Sequence, residues 1–246
     1  MSGRLNRIWR RLRYGGLDYL LTAAASYCPG WLFGYRHSLL YTRPATSLGM
    51  EQEAERRVSV FDHNDVDRLS SLLDWSQEKV NRRFICEELC FGIVKSGRMI
   101  SFKWARLEPT LLVGEQVYTR LDPGDSGFYL HTGNTVPEER RKGLSLLCSQ
   151  KLYDRMARLG RTMQYSIVEH CNEAPRKMQE KLGAQIEGEV YYVGLFGLRL
   201  VYRRKWPELV SRFEIIGRDI PTDPAEADRL IKADCPQKQE DRVRDR

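Results

Sequence analysis

The chain has no CxxC pair and no compact histidine–cysteine cluster, although six cysteines and four histidines are spread over its 246 residues. Zinc-site spacing is therefore absent, and no metal is expected from the sequence. Cys86 and Cys90 stand four apart with no second pair, so they read as buried thiols, which fits a reducing compartment. There is also no apolar run of the roughly 18 to 20 residues that a bilayer span needs, because Asp18 and Arg36 interrupt the best stretch. Acid is scarce at one end. Residues 1–50 hold seven arginines, no lysine and a single carboxylate, Asp18, which places a net +6 there against +7 for the whole chain. No internal repeat is evident, and the length allows one sizeable domain with additions or two small ones.

The arginine-rich end is patterned. Leu5, Ile8, Trp9 and Leu12 fall at helical spacing with Arg4, Arg7, Arg11 and Arg13 on the flanks, and Leu17, Leu20, Leu21 and Ala24 resume the stripe after Gly15-Gly16. A secretory signal fits poorly, since the apolar patch is short, contains Asp18 and runs on into aromatics. Two readings remain: a helix lying in a membrane interface, with arginines on anionic lipid over residues 4–24, or a helix docked on protein. A nucleic-acid arm ranks below both, because a leucine stripe needs an apolar partner that phosphate does not supply. The chain divides into a basic amphipathic helical segment (1–43), a linker (44–55), a domain (56–206) and an extension (207–246). Dense charge and proline predict disorder in that extension from about residue 219.

Within 56–206, residues 57–61 alternate as a strand. Asn64 is the candidate cap of a helix to Trp75, and a second helix is expected from Gln77 to about Cys90. A strand from Phe91, a Ser96-Gly97 turn and a strand over Met99–Leu107 follow, then another strand or an insertion over 116–121 with Asp122-Pro123-Gly124-Asp125 as its turn. Tyr191–Val193 and Leu195–Tyr202 read as a last hairpin about Gly194 or Gly197.

The most specific stretch runs from Gly127 to Gly160. An apolar strand (Phe128, Tyr129, Leu130) leads through Val136-Pro137-Glu138-Glu139 into Arg140-Arg141-Lys142-Gly143-Leu144-Ser145. There a helix opens with its stripe at Leu144, Cys148, Leu152, Met156 and Leu159, closed by Gly160. The first turn of such a helix leaves unpaired amides at the positive end of the peptide dipoles, and Gly143 puts no side chain in front of them.

Arg140-x-x-Gly143-x-Ser145 resembles the acyl-CoA diphosphate loop of the GNAT superfamily of N-acyltransferases. Asn172-Glu173-Ala174 and Glu180-Lys181-Leu182-Gly183 are similar to its second motif. The resemblance covers about residues 56 to 204. It implies an α+β fold, GNAT-like, with a mixed, mostly antiparallel central sheet flanked by helices, here carrying the N-terminal basic helical extension. Three positions depart from the pattern: Ser145 replaces glycine or alanine, Ala184 replaces phenylalanine, and Gln179 stands where many members have the tyrosine that protonates the departing thiolate.

The resemblance further implies acetyl-CoA or a longer acyl-CoA as co-substrate. Thr135, Val136, Arg140, Arg141, Lys142, Gly143, Leu144, Ser145 and Asn172 would hold it, and a main-chain amide between Gly133 and Val136 would meet the oxyanion. Direct transfer to an amine needs a base for an ammonium of pKa about 10. Tyr129 and His131, two apart on one strand, and Glu169 at the end of the next are the candidates. The expected acceptor is a small-molecule or lipid-linked amine, such as an envelope or polysaccharide precursor, met in the cytoplasm or peripherally on the cytoplasmic membrane face. The alternative is a CoA-binding or assembly module whose activity has lapsed.

Overall fold

Strand alternation, not helical spacing, governs residues 33–44. Tyr35, His37, Leu39 and Tyr41 fall on one face and Arg36, Ser38, Leu40 and Thr42 on the other, and nearly all of them are buried. Such double-sided burial marks an interior strand. The computed structural model describes residues 16–29, 32–107, 110–114, 117–205 and 213–216. It opens with helix α1 over 16–27 and strand β1, Phe33–Pro44. Leu5 to Leu12 lie outside the described residues.

The remaining elements are α2 (Glu51–Arg57), β2 (Ser59–Phe61), α3 (Val66–Leu73), α4 (Gln77–Ile85), β3 (Glu88–Lys95), β4 (Arg98–Arg106), β5 (Thr110–Gly114) and β6 (Val117–Leu121). They are followed by β7 (Gly127–Thr135), α5 (Leu144–Arg158), β8 (Met163–Glu169), α6 (Glu173–Lys181), β9 (Gln185–Leu195), β10 (Leu198–Arg204) and β11 (Phe213–Ile216). Nine strands form one sheet in the order β11-β10-β9-β1-β8-β7-β4-β3-β2, while β5 and β6 pair as a separate hairpin. Every neighbour in the large sheet is antiparallel except β7 and β8.

Two expected boundaries are corrected. The segment 1–43 is not helical throughout, because β1 sits between β8 and β9 inside the sheet. The arginine and leucine spacing of the first residues masked a change of period after Pro29. Residues 44–55 are not a free linker either. Ala45 donates to the Thr162 carbonyl at 2.7 Å, the Leu48 amide reaches Gln150 Oε1 at 2.5 Å, and Lys151 pairs with Glu55 of α2. Smaller shifts follow from caps. Asp62, not Asn64, caps the turn His63–Asp65 that leads into α3, through a reciprocal capping box with Asp65. Helix α4 stops at Ile85, and Glu87 turns left-handed at φ 55°, so Glu88 begins a strand. Strand β11 adds order to the C-terminal extension, while the disorder expected beyond about 219 lies outside the described residues.

Two helical layers cover the sheet. On one face α5 presses Leu144, Leu147, Cys148, Leu152 and Met156 onto Phe91, Ile93, Phe128 and Leu130, with Ala54 of α2 alongside. Gly160, at φ 73°, ends α5 in a Schellman motif: its amide reaches Ala157 and the Arg161 amide reaches Met156. On the other face Leu69 of α3 and Val80 of α4 pack against Phe61, Cys90, Met99 and Trp104.

One charge is trapped in the first layer. Lys103 of β4 is 8 % exposed and its ammonium donates to Ser149 Oγ at 2.6 Å, with no carboxylate partner among the described residues. Burial pulls its pKa from 10.5 down to about 8. Between those values the unfolded chain holds the proton that the folded chain has released, so this group makes stability rise with pH across that window. Lys103→Met should be more stable than the parent at pH 7. Urea unfolding of both proteins between pH 7 and 10.5 should show the difference shrinking as pH rises, and an equal difference at every pH would contradict the assignment.

Candidate active site

Strands β7 and β8 pair in parallel only at Gly127, Phe128 and Tyr129 against Met163, Gln164 and Tyr165. Beyond that point β7 continues to Thr135 bonded to β4, and β8 continues to Glu169 bonded to β1, so the two part into a cleft whose walls are strand edges. Backbone edges need polar partners. At the mouth, each strand feeds a helix, α5 after β7 and α6 after β8.

The turn into α5 is shaped by two left-handed residues, Arg141 at φ 66° and Gly143 at φ 76°. Among the described residues, the five amides from Arg141 to Ser145 donate to no backbone or side-chain acceptor, and the next donor, Leu146, returns to the Gly143 carbonyl. The N-cap is Gly143 itself, without a capping side chain, and the first turn of α5 carries no acid. This helix end therefore keeps its positive dipole and its orphan N–H groups uncompensated. A Cβ built on Gly143 would meet nothing within 4 Å, so the space above the turn is open.

The three basic residues of the turn are not equivalent. Arg140 Nε donates to the Thr135 carbonyl at 3.0 Å, and Lys142 is held by Glu139, which Lys95 clasps from the other side. Hydrogen bonds from Lys142 and Lys95 draw the Glu139 carboxyl down to about 2. The Arg141 side chain is exposed and points at no partner among the described residues. The Val136 amide is committed to the Ile100 carbonyl at 3.0 Å, which removes it from the expected oxyanion donors and leaves Gly133 to Thr135. Thr135 Oγ1 bonds Ser101 Oγ at 2.9 Å. Asn172 occupies the N-cap position of α6 but makes no capping bond with its side chain. Gln179, on α6, has a buried Oε1 without a hydrogen-bond partner, as has Ser166 Oγ on the β8 wall.

On the sheet face under α4 a second feature lies against the cleft. The β4–β7 register slips between Lys103 and Ala105, so His131 and Thr132 together oppose Trp104, a bulge that re-aims both side chains. His131 Nε2 comes 3.1 Å from Glu88 Oε2, without the alignment of a hydrogen bond, and its Nδ1 lies 2.9 Å from Thr132 Oγ1. Arg83 of α4 reaches the same carboxylate at 2.9 Å and Thr132 at 3.3 Å, and Arg106 approaches to 3.9 Å. Burial would raise the Glu88 pKa. His131, Arg83 and Arg106 outweigh it and hold the carboxyl below its usual value. The group is thus a buried, ionised carboxylate against an imidazole, with Tyr129 stacked on the ring at 5.5 Å.

The expected proton acceptors separate. Tyr129 and His131 come together. Burial, and then Glu88, push the Tyr129 phenol well above its ordinary value, and its ring packs with Leu40 and Leu121, so it is a core and stacking residue and not a base. Glu169 is half-exposed and paired with Arg36 at 3.1 Å, away from this group. Glu88, Arg83 and Arg106 were missed. The expected helix to Cys90 absorbed Glu88, and the available signal was an acid heading the apolar run Leu89–Val94. Beside the bulge, Leu72, Leu73, Met99, Phe102, Asn134 and Val136 line a cavity of about 210 Å³ between α3 and the sheet.

The sheet order, the splayed parallel pair and the glycine turn opening α5 define a mixed, mostly antiparallel α+β sheet flanked by helices, the class of fold that the sequence resemblance implies. Among solved structures the chain is similar to an acetyltransferase assigned to the GNAT family from Novosphingobium aromaticivorans DSM 12444, at 17% identity and TM-score 0.47 over 64% of this chain and 63% of that one. It is also similar to a ribosomal-protein-alanine N-acetyltransferase from Brucella melitensis biovar Abortus 2308 (14% identity, TM-score 0.38, 51% of this chain and 88% of that chain). A third is an aminoglycoside 6'-N-acetyltransferase complexed with coenzyme A (19% identity, TM-score 0.37, 51% and 83%). The chain thus spans less than two thirds of the Novosphingobium structure. No family model and no curated protein matches the sequence.

Proposed function

We propose that the protein is an acyl-CoA-dependent N-acyltransferase. The observation that carries this reading is the run of unbonded amides from Arg141 to Ser145, at a helix start without cap or acid and beside a cleft between parting strands. The diphosphate of acetyl-CoA or a longer acyl-CoA would sit on those amides with Arg141 beside it, and the pantetheine arm, itself an amide chain, would bond the free strand edges. Asn172 and Gln179, whose side-chain groups are unspent, would line the same channel.

His131 is the proposed base. It would take the proton of the attacking amine, while the Glu88 carboxylate offsets the charge the ring gains, a division of labour in which one group moves the proton and the other orients it. The acyl carbonyl oxygen would turn to an amide between Gly133 and Thr135, and the thiolate leaves without a tyrosine to protonate it. A thiol of pKa about 8 to 9 tolerates that. Gln179 remains the motive for the alternative of a lapsed CoA-binding module.

The orientation of α1 supports a reading of the acceptor class. Asp18 faces inward to the sheet and Thr22 to Cys171. Leu17 and Leu20 are 70% and 52% exposed. An apolar stripe turned outward, preceded in the sequence by Arg4, Arg7, Arg10, Arg11 and Arg13, suits an anionic membrane surface, and hence a lipid-linked or other peripheral amine acceptor. Among the described residues no helix is long and apolar enough to cross a membrane.

Three measurements test these points. Gly143→Asp puts a carboxylate over the amides, so calorimetry should show CoA affinity falling at least about tenfold, and unchanged binding would refute the diphosphate site. With an amine panel and thiol-release detection, His131→Ala should lose roughly 10²- to 10⁴-fold in kcat/KM. Glu169→Gln should change little, and the reverse ranking would move the base to β8. Leu17→Glu/Leu20→Glu should abolish flotation with phosphatidylserine vesicles, whereas retention of flotation would assign the stripe to another partner.

A further inference from the structure

Outside the cleft, three chain segments converge on one carboxylate. Tyr35 donates to Asp18 Oδ1, leaving Oδ2 to face His37 Nδ1 at 3.0 Å and His170 Nδ1 at 3.3 Å. The His170 amide donates to the His37 carbonyl at 2.8 Å, and the two rings stack at 4.5 Å, which fixes the imidazoles against each other. Tyr191 stacks on the other side of His37 at 4.0 Å.

Hydrogen bonding alone leaves this group incomplete. His170 Nδ1 is buried without a hydrogen-bond partner, although it points at Asp18. His37 turns its second nitrogen, Nε2, toward Glu189 Oε2 at 3.7 Å. His37 Nδ1 lies at hydrogen-bond distance from the same Asp18 oxygen that His170 Nδ1 faces, so a cation there would take the place of a proton between imidazole and carboxylate. A carboxylate behind a histidine is the usual outer partner of a metal-binding imidazole, where it fixes tautomer and ring orientation. The three inward atoms lie within 4.8 Å of one another. The two spacings to Asp18, 3.0 and 3.3 Å, reach but do not exceed the edge of a tetrahedron around zinc, about 3.3 Å for bonds of 2.0–2.1 Å.

The geometry points to Asp18, His37 and His170 as a divalent-cation site of the zinc class, with Glu189 as outer partner, clamping α1 to β1 and to the turn between β8 and α6. Two imidazole nitrogens and one carboxylate oxygen are a zinc donor set, and they leave a fourth position for solvent. Sequence spacing hid the site, because residues 18, 37 and 170 come from segments joined only by the fold. The site lies behind α6, on a different group of residues from the proposed base, so its presence does not depend on the acyl-transfer reading.

The test uses the full chain, stripped with EDTA and reloaded with ZnCl2 alone. Elemental analysis should find about one zinc per chain, and Co2+ should give the visible absorption of a four-coordinate site. At a hundredfold excess over Kd the melting temperature should rise by about 5 °C or more. Asp18→Asn and His170→Ala, each checked for folding by circular dichroism, should lose all three signals, and the surface variant His63→Ala should keep them. Substoichiometric zinc in the parent, or binding that persists in both Asp18→Asn and His170→Ala, overturns the assignment.

Discussion

Two strands that pair for three residues and then part are the constraint on which this molecule turns. In a continuous sheet the edges of β7 and β8 would satisfy each other and leave nothing to recognise. Here each strand is held on its far side, β7 by β4 and β8 by β1, so the divergence survives without collapse. The bulge at His131 and Thr132 belongs to the same geometry: it bends β7 away from β8 and turns a histidine toward Glu88. Opening the cleft and bringing His131 to Glu88 are thus one local distortion seen from two sides.

The buried ionic cluster is an expensive element. Glu88 and Arg106 are each 8 % exposed, and a buried ion pair repays its desolvation only with close geometry and satisfied hydrogen bonds. That geometry is incomplete, since Arg106 Nε and Trp104 Nε1 lack partners and the His131–Glu88 approach is off-line. A group kept charged and imperfectly satisfied next to a cleft is better accounted for by chemistry than by stability.

Much of the fold was legible because local signals agreed with it. The α5 stripe from Leu144 to Met156, Gly143 and Gly160 at its two ends and the Ser96-Gly97 turn carry short-range causes and are where the sequence puts them, whereas Leu159 falls beyond α5 and is exposed, and the last hairpin turns at Phe196-Gly197, with Leu195 still in β9. What stayed hidden is long-range. Strand β1 enters the sheet beside partners more than a hundred residues away, and its alternation is hard to read when both faces are filled with large side chains. The site divides in the same way. Gly143 is readable from its own neighbours, whereas Glu88 meets His131 only through the register of β3, β4 and β7.

The insertion of β1 changes what the N-terminal segment can be. A helix appended to a finished domain could hide its apolar stripe against it. In contrast, α1 precedes a strand in the interior of the sheet and is anchored to it by polar groups, Asp18 with Tyr35 and His37. The inward face is spent on those bonds, so Leu17 and Leu20 are left outside. Because His170 stands two residues before Asn172, the anchor of α1 and the mouth of the cleft share the short turn after β8. Anything that pulls on α1 therefore acts on the short turn after β8, and through it on the wall of the cleft between β7 and β8, so the anchor and the cleft mouth form one mechanical unit.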